Sequence, residues 1–286
     1  MNNLLERTGR REPDPDADRP LVHIDDVDVR FGDQTILRKI DLSIYRGQTV
    51  AVIGESGCGK TVLMKTVIGL IRPTRGRVFF DGYDFATLND RELTNQRIRF
   101  GFVFQQAALF DSLTIGQNVA FPLRQHRKMS YGEIRDRVST LLAEVGLPDS
   151  VVTRKPAELS GGMRKRVGLA RALAMDPEMI LYDEPTTGLD PIMSDVINEL
   201  MIRTSKRKDV SSIIVTHDMK SAMKVADRVV MVYPVARLKN GQSQVVFDGT
   251  PEELQACRDP RVQQFIRGEA GERLMELRNE QRERTA

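Results

Sequence analysis

From Leu21 the chain alternates apolar and polar residues in short runs: LVHIDDVDVRF (21–31), ILRKIDLSIYRG (36–47) and RVFFDG (77–82). Their period of two, broken by Gly and Asp turns, predicts a small antiparallel sheet. QTVAVIG (48–54) has no alternation. A short continuous apolar run predicts a strand buried on both faces, and TVLMKTVIGL (61–70) after it carries helical spacing. FGFVFQQ (100–106), MILYDE (179–184) and SSIIVTH (211–217) repeat the buried-strand pattern, with the helical stretch IMSDVINELMIRTSKR (192–207) between the last two. Strands alternating with helices predict a parallel sheet built from βαβ units. Residues 107–175 read as a helical subdomain, with SYGEIRDRVSTLLAEVGL (130–147) its clearest amphipathic stretch. RVVMVYPVARLKNGQSQVVFDG (228–249) reads as a hairpin turning at Lys239-Asn240-Gly241.

The ends differ from this pattern. Residues 1–20 are polar with Asp-Pro steps and read as a disordered extension. Residues 257–286 read as a charged helical tail, with little apolar face in GERLMELRNEQRERTA. One large domain over 21–256 accounts for the rest. Composition changes this picture little: of 286 residues, 40% are hydrophobic and 29% charged, as in an ordinary globular chain. A net charge of only +3 gives no reason to expect a nucleic-acid partner. Two cysteines, Cys58 and Cys257, without metal-binding spacing fit a reducing cytoplasm. The N-terminus lacks the apolar segment of a signal peptide. No apolar run reaches the ~20 residues of a membrane span, so any transport path must come from another chain.

The candidate chemistry begins at GESGCGKT, Gly54, Glu55, Ser56, Gly57, Cys58, Gly59, Lys60 and Thr61, which fits G-x-x-x-x-G-K-[ST] between a buried strand and a helix. Glycines let backbone N–H groups curl around phosphates, and the helix start adds its positive dipole end. Lys60 is placed to reach the β- and γ-phosphates and Thr61 to bind Mg²⁺. The bland alternative, a Gly-rich turn that binds nothing, leaves the strand–loop–helix context unexplained. Cys58 reads either as a thiol of lowered pKa or, more simply, as a small space-filling side chain. Asp183 and Glu184 end an apolar strand. Solvated carboxylates are common there, but beside a phosphate loop Asp183 reads as a Mg²⁺ ligand and Glu184 as general base. A lone strand-end histidine is commonly structural. In a parallel sheet, however, His217 arrives at the same edge as Glu184, where it could contact the γ-phosphate and orient the water. His23 and His126 read as structural or surface residues.

With these residues in place, the chain resembles the ATP-binding subunit of an ABC transporter, from about Leu21 to Gly268. LSGGM (159–163) is similar to the signature motif, TTGLDP (186–191) to the D-loop, Gln105 to the Q-loop residue and His217 to the switch histidine. The resemblance implies a P-loop NTPase (RecA-like) parallel-sheet core with antiparallel and helical subdomains. It implies ATP and Mg²⁺ as ligands, and a homodimer in which two subunits pack head to tail around two ATP. Phe31 would stack on adenine. Ser160, Gly161 and Gly162 would contact the ATP held by the partner's phosphate loop, and Asp190 would couple the two sites. Gln105 would sense nucleotide, Mg²⁺ and permease. Phe110 to Phe121 would lie near an integral-membrane permease, or simply belong to the helical subdomain's core. Val62 and Met163 stand where Thr or Ser and Gln are commoner, each removing one hydrogen bond, typically worth about 1 kcal/mol.

FVFQQAALFDSLTIGQNVAFPLR, LSGGM, GKTV and DPRVQQFIRG also resemble the Mla/Mkl-type lipid transporters. That group implies phospholipid traffic, an MCE-domain lipid-binding partner and a peripheral place on the cytoplasmic face of the inner membrane. An ABC ATPase for another cargo such as amino acids, and a soluble one for cofactor assembly, remain the alternatives. A scaffold that binds ATP without turnover leaves Lys60, Asp183, Glu184 and His217 unexplained.

Overall fold

Continuous apolar runs become the centre of the molecule. The computed structural model describes residues 19–208 and 210–270. Most of the predicted N-terminal extension, residues 1–18, and the tail segment 271–286 lie outside the described residues. In chain order the elements are β1 (Val22–Phe31), β2 (Gln34–Ile44), β3 (Thr49–Ile53), α1 (Lys60–Val67), β4 (Arg75–Phe80), β5 (Tyr83–Asp84), α2 (Asp90–Arg97), β6 (Phe100–Val103), α3 (Ile115–His126) and α4 (Tyr131–Glu144). They continue with α5 (Gly161–Leu173), β7 (Met179–Asp183), α6 (Pro191–Lys208), β8 (Ser211–Val215), α7 (Met219–Val225), β9 (Arg228–Val232), β10 (Val245–Gly249), α8 (Pro251–Ala256) and α9 (Pro260–Arg267).

The alternating runs form the antiparallel sheet β2-β1-β4-β5, and the continuous ones form the second sheet, β10-β9-β3-β8-β7-β6. Five of its strands are parallel, and only β10 at the edge runs antiparallel. Every residue of β3 and β8 is buried, as expected of parallel strands covered on both faces. Strand alternation then sorts the core. Val50, Val52, Met179, Leu181, Ile213 and Val215 face α1 and the antiparallel sheet. Ile180, Tyr182 and Ile214 face the opposite way, into a cluster with α3 to α6. Ala51 and Ile53 pack with α7, Leu254 and Val262, so α9 contributes to the core. This is the α/β architecture expected, with its antiparallel and helical subdomains.

The helices start where capping residues place them. Asn89, Thr114 and Ser130 each close a capping box with Glu92, Gln117 and Glu133. The fully buried Asn118 accepts from the Phe110 N–H (2.8 Å) and donates to the carbonyls of Phe110, Leu113 and Thr114, which fixes the loop ahead of α3. An ion-pair cluster of Arg99 with Glu178 and Asp81, joined by Arg46, ties the turn after β4 to the starts of β6 and β7.

One expectation fails in form. β9 and β10 do pair antiparallel, but pairing begins at Val232–Val245, and residues 233–244 form a long connection instead of a tight turn. Pro234 supplies no N–H to extend β9. The chain detours through a 3-10 turn at Val235–Arg237 and only then turns at Asn240-Gly241. The detour carries two contacts to the loop of residues 54–61. Arg237 Nη1 pairs with Glu55 Oε1 at 2.5 Å, and the buried Gln244 donates from Nε2 to the Cys58 carbonyl at 2.7 Å.

Candidate functional site

Parallel strands deliver their carboxyl ends to one edge of the sheet, and that edge collects the candidate residues. In register, Val103 lies beside Tyr182, Asp183 beside Val215, and Val52 beside Val215. β3 therefore runs out into Gly54, β6 toward Gln105, β7 into Asp183 and Glu184, and β8 toward His217.

The phosphate-loop segment curls as its glycines require. Gly54 has φ +151°, and a Cβ on it would fall 2.3 Å from the Val232 carbonyl oxygen, so no larger residue fits between β3 and β9. Gly57 and Gly59 are also left-handed, at φ 84° and 96°. Lys60 opens α1 and is only 7% exposed. Its ammonium folds back over the loop and donates to the carbonyls of Gly54 (2.8 Å) and Glu55 (2.9 Å). Its neighbour Thr61 donates from Oγ1 to Asp183 Oδ1 at 3.3 Å. Burial pushes the Asp183 carboxyl above the ordinary carboxylate range, and the Glu184 charge adds to this against the Thr61 hydrogen bond, Lys65 and Lys60.

A hydroxyl and a desolvated carboxylate meeting beside a second carboxylate form a hard-oxygen set that fits Mg²⁺. Among the described residues no group of three or more His, Cys, Asp and Glu could hold a metal. Mg²⁺ commonly takes one or two protein oxygens and fills its shell with substrate phosphates and water.

Glu184 and His217 meet directly: Nδ1 of His217 lies 2.8 Å from Oε2 of Glu184. The same oxygen accepts from the Thr187 hydroxyl at 3.1 Å. Glu184 sits at φ 49°, a conformation side-chain-bearing residues rarely adopt, held by its N–H to the Val215 carbonyl at 2.9 Å. Strain of this kind persists where the surroundings over-determine it.

The other candidates, Gly162 excepted, are exposed. Phe31, 52% exposed, ends β1. Gln105 is exposed in the turn after β6. Ser160 caps α5 by accepting the Met163 N–H at 3.3 Å. Asp190 caps α6 through the N–H groups of Ile192 and Met193. Gly161 is exposed, whereas Gly162 is buried against Met193, whose Cε would lie 2.8 Å from an added Cβ. The starts of α5 and α6 therefore pack together. Phe110 and Phe121 are partly exposed and meet at 4.8 Å between centroids with their rings tilted by 45°.

Cys58 is the space-filling residue of the simpler reading. It is 3% exposed, and burial raises its thiol pKa more than Lys60 lowers it. Alkylating reagents at neutral pH should therefore label the more accessible Cys257 and leave Cys58 untouched with or without ATP, a pattern that peptide mass spectrometry reads directly.

Sequence reasoning missed three neighbours of the site: Arg237, Gln244 and Lys165. Lys165 of α5 is 7% exposed and donates to the carbonyls of Pro185 (2.8 Å) and Thr187 (2.6 Å). Burial pulls its pKa down while the Glu184 charge opposes the shift. Within the run Arg164-Lys165-Arg166 it looks like any solvated cation.

Comparison with known proteins matches residues 37–187 to the family described as ABC transporter. The chain is 39% identical over 250 residues, 87% of its length and 91% of the relative's, to the intermembrane phospholipid transport system ATP-binding protein MlaF of Haemophilus influenzae. It is 38% identical over 265 residues, 91% of its length and 71% of the relative's, to the probable ribonucleotide transport ATP-binding protein mkl of Mycobacterium bovis. Among solved structures it is similar to a dimeric ATP-binding cassette in a post-hydrolysis state bound to ADP and Pi. That match has a TM-score of 0.70 and 33% identity, covering 80% of this chain and 98% of that one.

Proposed function

The chain belongs to the ABC transporter family as an ATP-hydrolysing protein, and from that premise we propose that it is the ATPase of a phospholipid transporter at the cell envelope. The similarity to MlaF over nearly the full length of both chains carries the lipid reading.

In this reading the loop Gly54–Thr61, with Val62 behind it, wraps the phosphates, and Lys60 leaves its loop carbonyls to hold the β- and γ-phosphates. Phe31 gives adenine a stacking face. Thr61 and Asp183 hold Mg²⁺, with Gln105 as a further ligand. When bound, the ion neutralises charge on the β- and γ-phosphate oxygens. Glu184 takes the proton from the attacking water, and His217 fixes that carboxylate and faces the γ-phosphate. Ser160, Gly161 and Gly162 of one protomer face the ATP of the other in a head-to-tail homodimer, an anion site formed by a helix start. Asp190 links the two sites through the packed starts of α5 and α6.

The motion of closing and reopening passes to a permease, with Phe110 and Phe121 near that contact, and an MCE-domain protein receives or delivers the lipid. Among the described residues no helix is long and apolar enough to cross a membrane, which agrees with a subunit attached to the cytoplasmic face of the inner membrane through its permease.

The name of the Mycobacterium relative supports a second cargo, ribonucleotides. Detergent extraction with this subunit tagged should bring down a polytopic permease, an MCE-domain protein and phospholipid. A ribonucleotide- or amino-acid-binding protein in their place overturns the lipid reading, and a soluble scaffold overturns transport.

A further inference from the structure

α5 begins at the motif that faces the partner's ATP, yet two of its side chains reach loops of their own protomer. Lys165, buried, spends two of its three donors on the carbonyls of Pro185 and Thr187. Those residues lie one and three positions after Glu184, in the segment that carries it. An ammonium leaves water only where such partners replace its hydration, so the pairing holds both sides in place.

Arg171 makes the matching contact on the loop that leaves the neighbouring strand, β6. Its Nη1 and Nη2 donate to the carbonyls of Ala108 and Ala107, each at 2.7 Å. Ala107 and Ala108 are consecutive left-handed residues, at φ 61° and 45°, in the loop that carries Gln105. Two such alanines in sequence are unfavourable alone, and the guanidinium fork satisfies both carbonyls at once. Gly168, one turn earlier on α5, lets the helix come close enough: a Cβ there would lie 3.3 Å from that of Ala107. β6 and β7 are adjacent in the sheet, so one helix pins the two loops leaving adjacent strands.

We propose that Lys165 and Arg171 are positioning residues through which α5 sets Gln105 and Glu184 of its own protomer, a role in cis for the helix whose start serves the ATP of the partner. This rests on the ATPase reading above. Neither side chain touches the reacting atoms. Each acts on the geometry of a loop that does, where a small misplacement is enough to slow the reaction.

The full chain and its K165M, K165R and R171K variants are compared for the affinity of a fluorescent ATP analogue, for kcat and KM, and for thermal midpoint. K165M keeps the length of the stem and removes the donors. It should lower kcat about ten- to a hundredfold, the scale of lost alignment. Analogue affinity should stay within about threefold of the parent, because the nucleotide-holding residues are untouched. K165R, which restores donors and charge, should recover most of the loss. R171K keeps the charge but loses the fork, and should show the same kcat-selective defect in milder form. A kcat unchanged in K165M overturns the proposal. So does a parallel loss of kcat and nucleotide binding that K165R does not rescue, since that is the mark of a merely structural lysine. Should K165M not fold, R171K decides, and an unchanged kcat there overturns the proposal equally. Absence of turnover in the parent chain is a separate result, which removes the ATPase reading itself.

Discussion

Replacing Glu184 with Gln is expected to leave ATP binding intact and to stop turnover, so that an ATP-loaded dimer accumulates. The substitution is close to isosteric. The amide oxygen can take over the acceptor role toward Nδ1 of His217, 2.8 Å away, and toward the Thr187 hydroxyl. The backbone hydrogen bond from residue 184 to the Val215 carbonyl, which holds the unusual φ of 49°, does not involve the side chain. What the amide cannot do is accept a proton from water. A positioned general base typically contributes about 10²–10⁴-fold, and kcat should fall on that scale. Lys60, Thr61 and Asp183, which hold nucleotide and Mg²⁺ in the proposed site, are unchanged, so nucleotide affinity should not follow kcat. Single-turnover phosphate release and size-exclusion chromatography with ATP test both halves. Phosphate release at the parent rate would remove Glu184 as the base, and slow release without a dimer would separate chemistry from assembly.

The parts of this site that were legible in the sequence are those built from uninterrupted local signals. QTVAVIG–GESGCGKT–TVLMKTVIGL is a buried strand, a phosphate-type loop and a helix in one stretch, and the structure gives β3, the Gly54–Gly59 turn and α1. MILYDE and SSIIVTH were legible because their apolar stretches, 179–182 and 213–215, run without the alternation of a half-exposed strand. The parallel arrangement fixes which end of each strand meets the other, so strand direction alone brings Glu184 and His217 to one edge.

Lys165, Arg171, Arg237 and Gln244 were not legible, for one shared reason. Each is a polar side chain whose burial is decided by an element remote in sequence: Pro185 and Thr187 for Lys165, Ala107 and Ala108 for Arg171, Glu55 for Arg237, Cys58 and Ile36 for Gln244. Period and composition describe a residue's own helix or strand, and there a lysine in Arg-Lys-Arg is a solvated face. The failed hairpin belongs to the same class. Asn240-Gly241 is a turn, as its residues demand, but Pro234 ends β9 early and the intervening residues are committed to Glu55 and the loop carbonyls.

Replacing Ser160 with Arg separates what a protomer does for itself from what it does for its partner. Ser160 lies on the surface, far along the chain from Lys60, and its hydroxyl caps α5 through the Met163 N–H. Losing such a cap costs about 0.5–2 kcal/mol of helix stability, too little to unfold a domain of this size. Lys60, Thr61 and Asp183 are unaffected, so the isolated subunit should bind ATP as the parent does. In the dimer a guanidinium stem would occupy the helix start that the partner's γ-phosphate is proposed to meet. Loss of one donor at such a charge-stabilising site typically costs about 10²–10³-fold in rate, and a bulky side chain there adds a steric block to closure. Turnover should therefore fall at least that far. The decisive measurement mixes two inactive chains. S160R keeps an intact phosphate loop, and K60A keeps an intact Ser-Gly-Gly start. Head-to-tail pairing gives their mixed dimer one site made of both intact halves, and ATPase activity should return on mixing although neither chain alone has it. If S160R alone already loses ATP binding, the motif serves its own nucleotide. If the mixed dimer forms and stays inactive, either the motif is not shared across the interface or one competent site is not enough for turnover. Disulfide-linked mixed dimers carrying a single K60A substitution distinguish those two, because residual turnover in them shows that one site suffices.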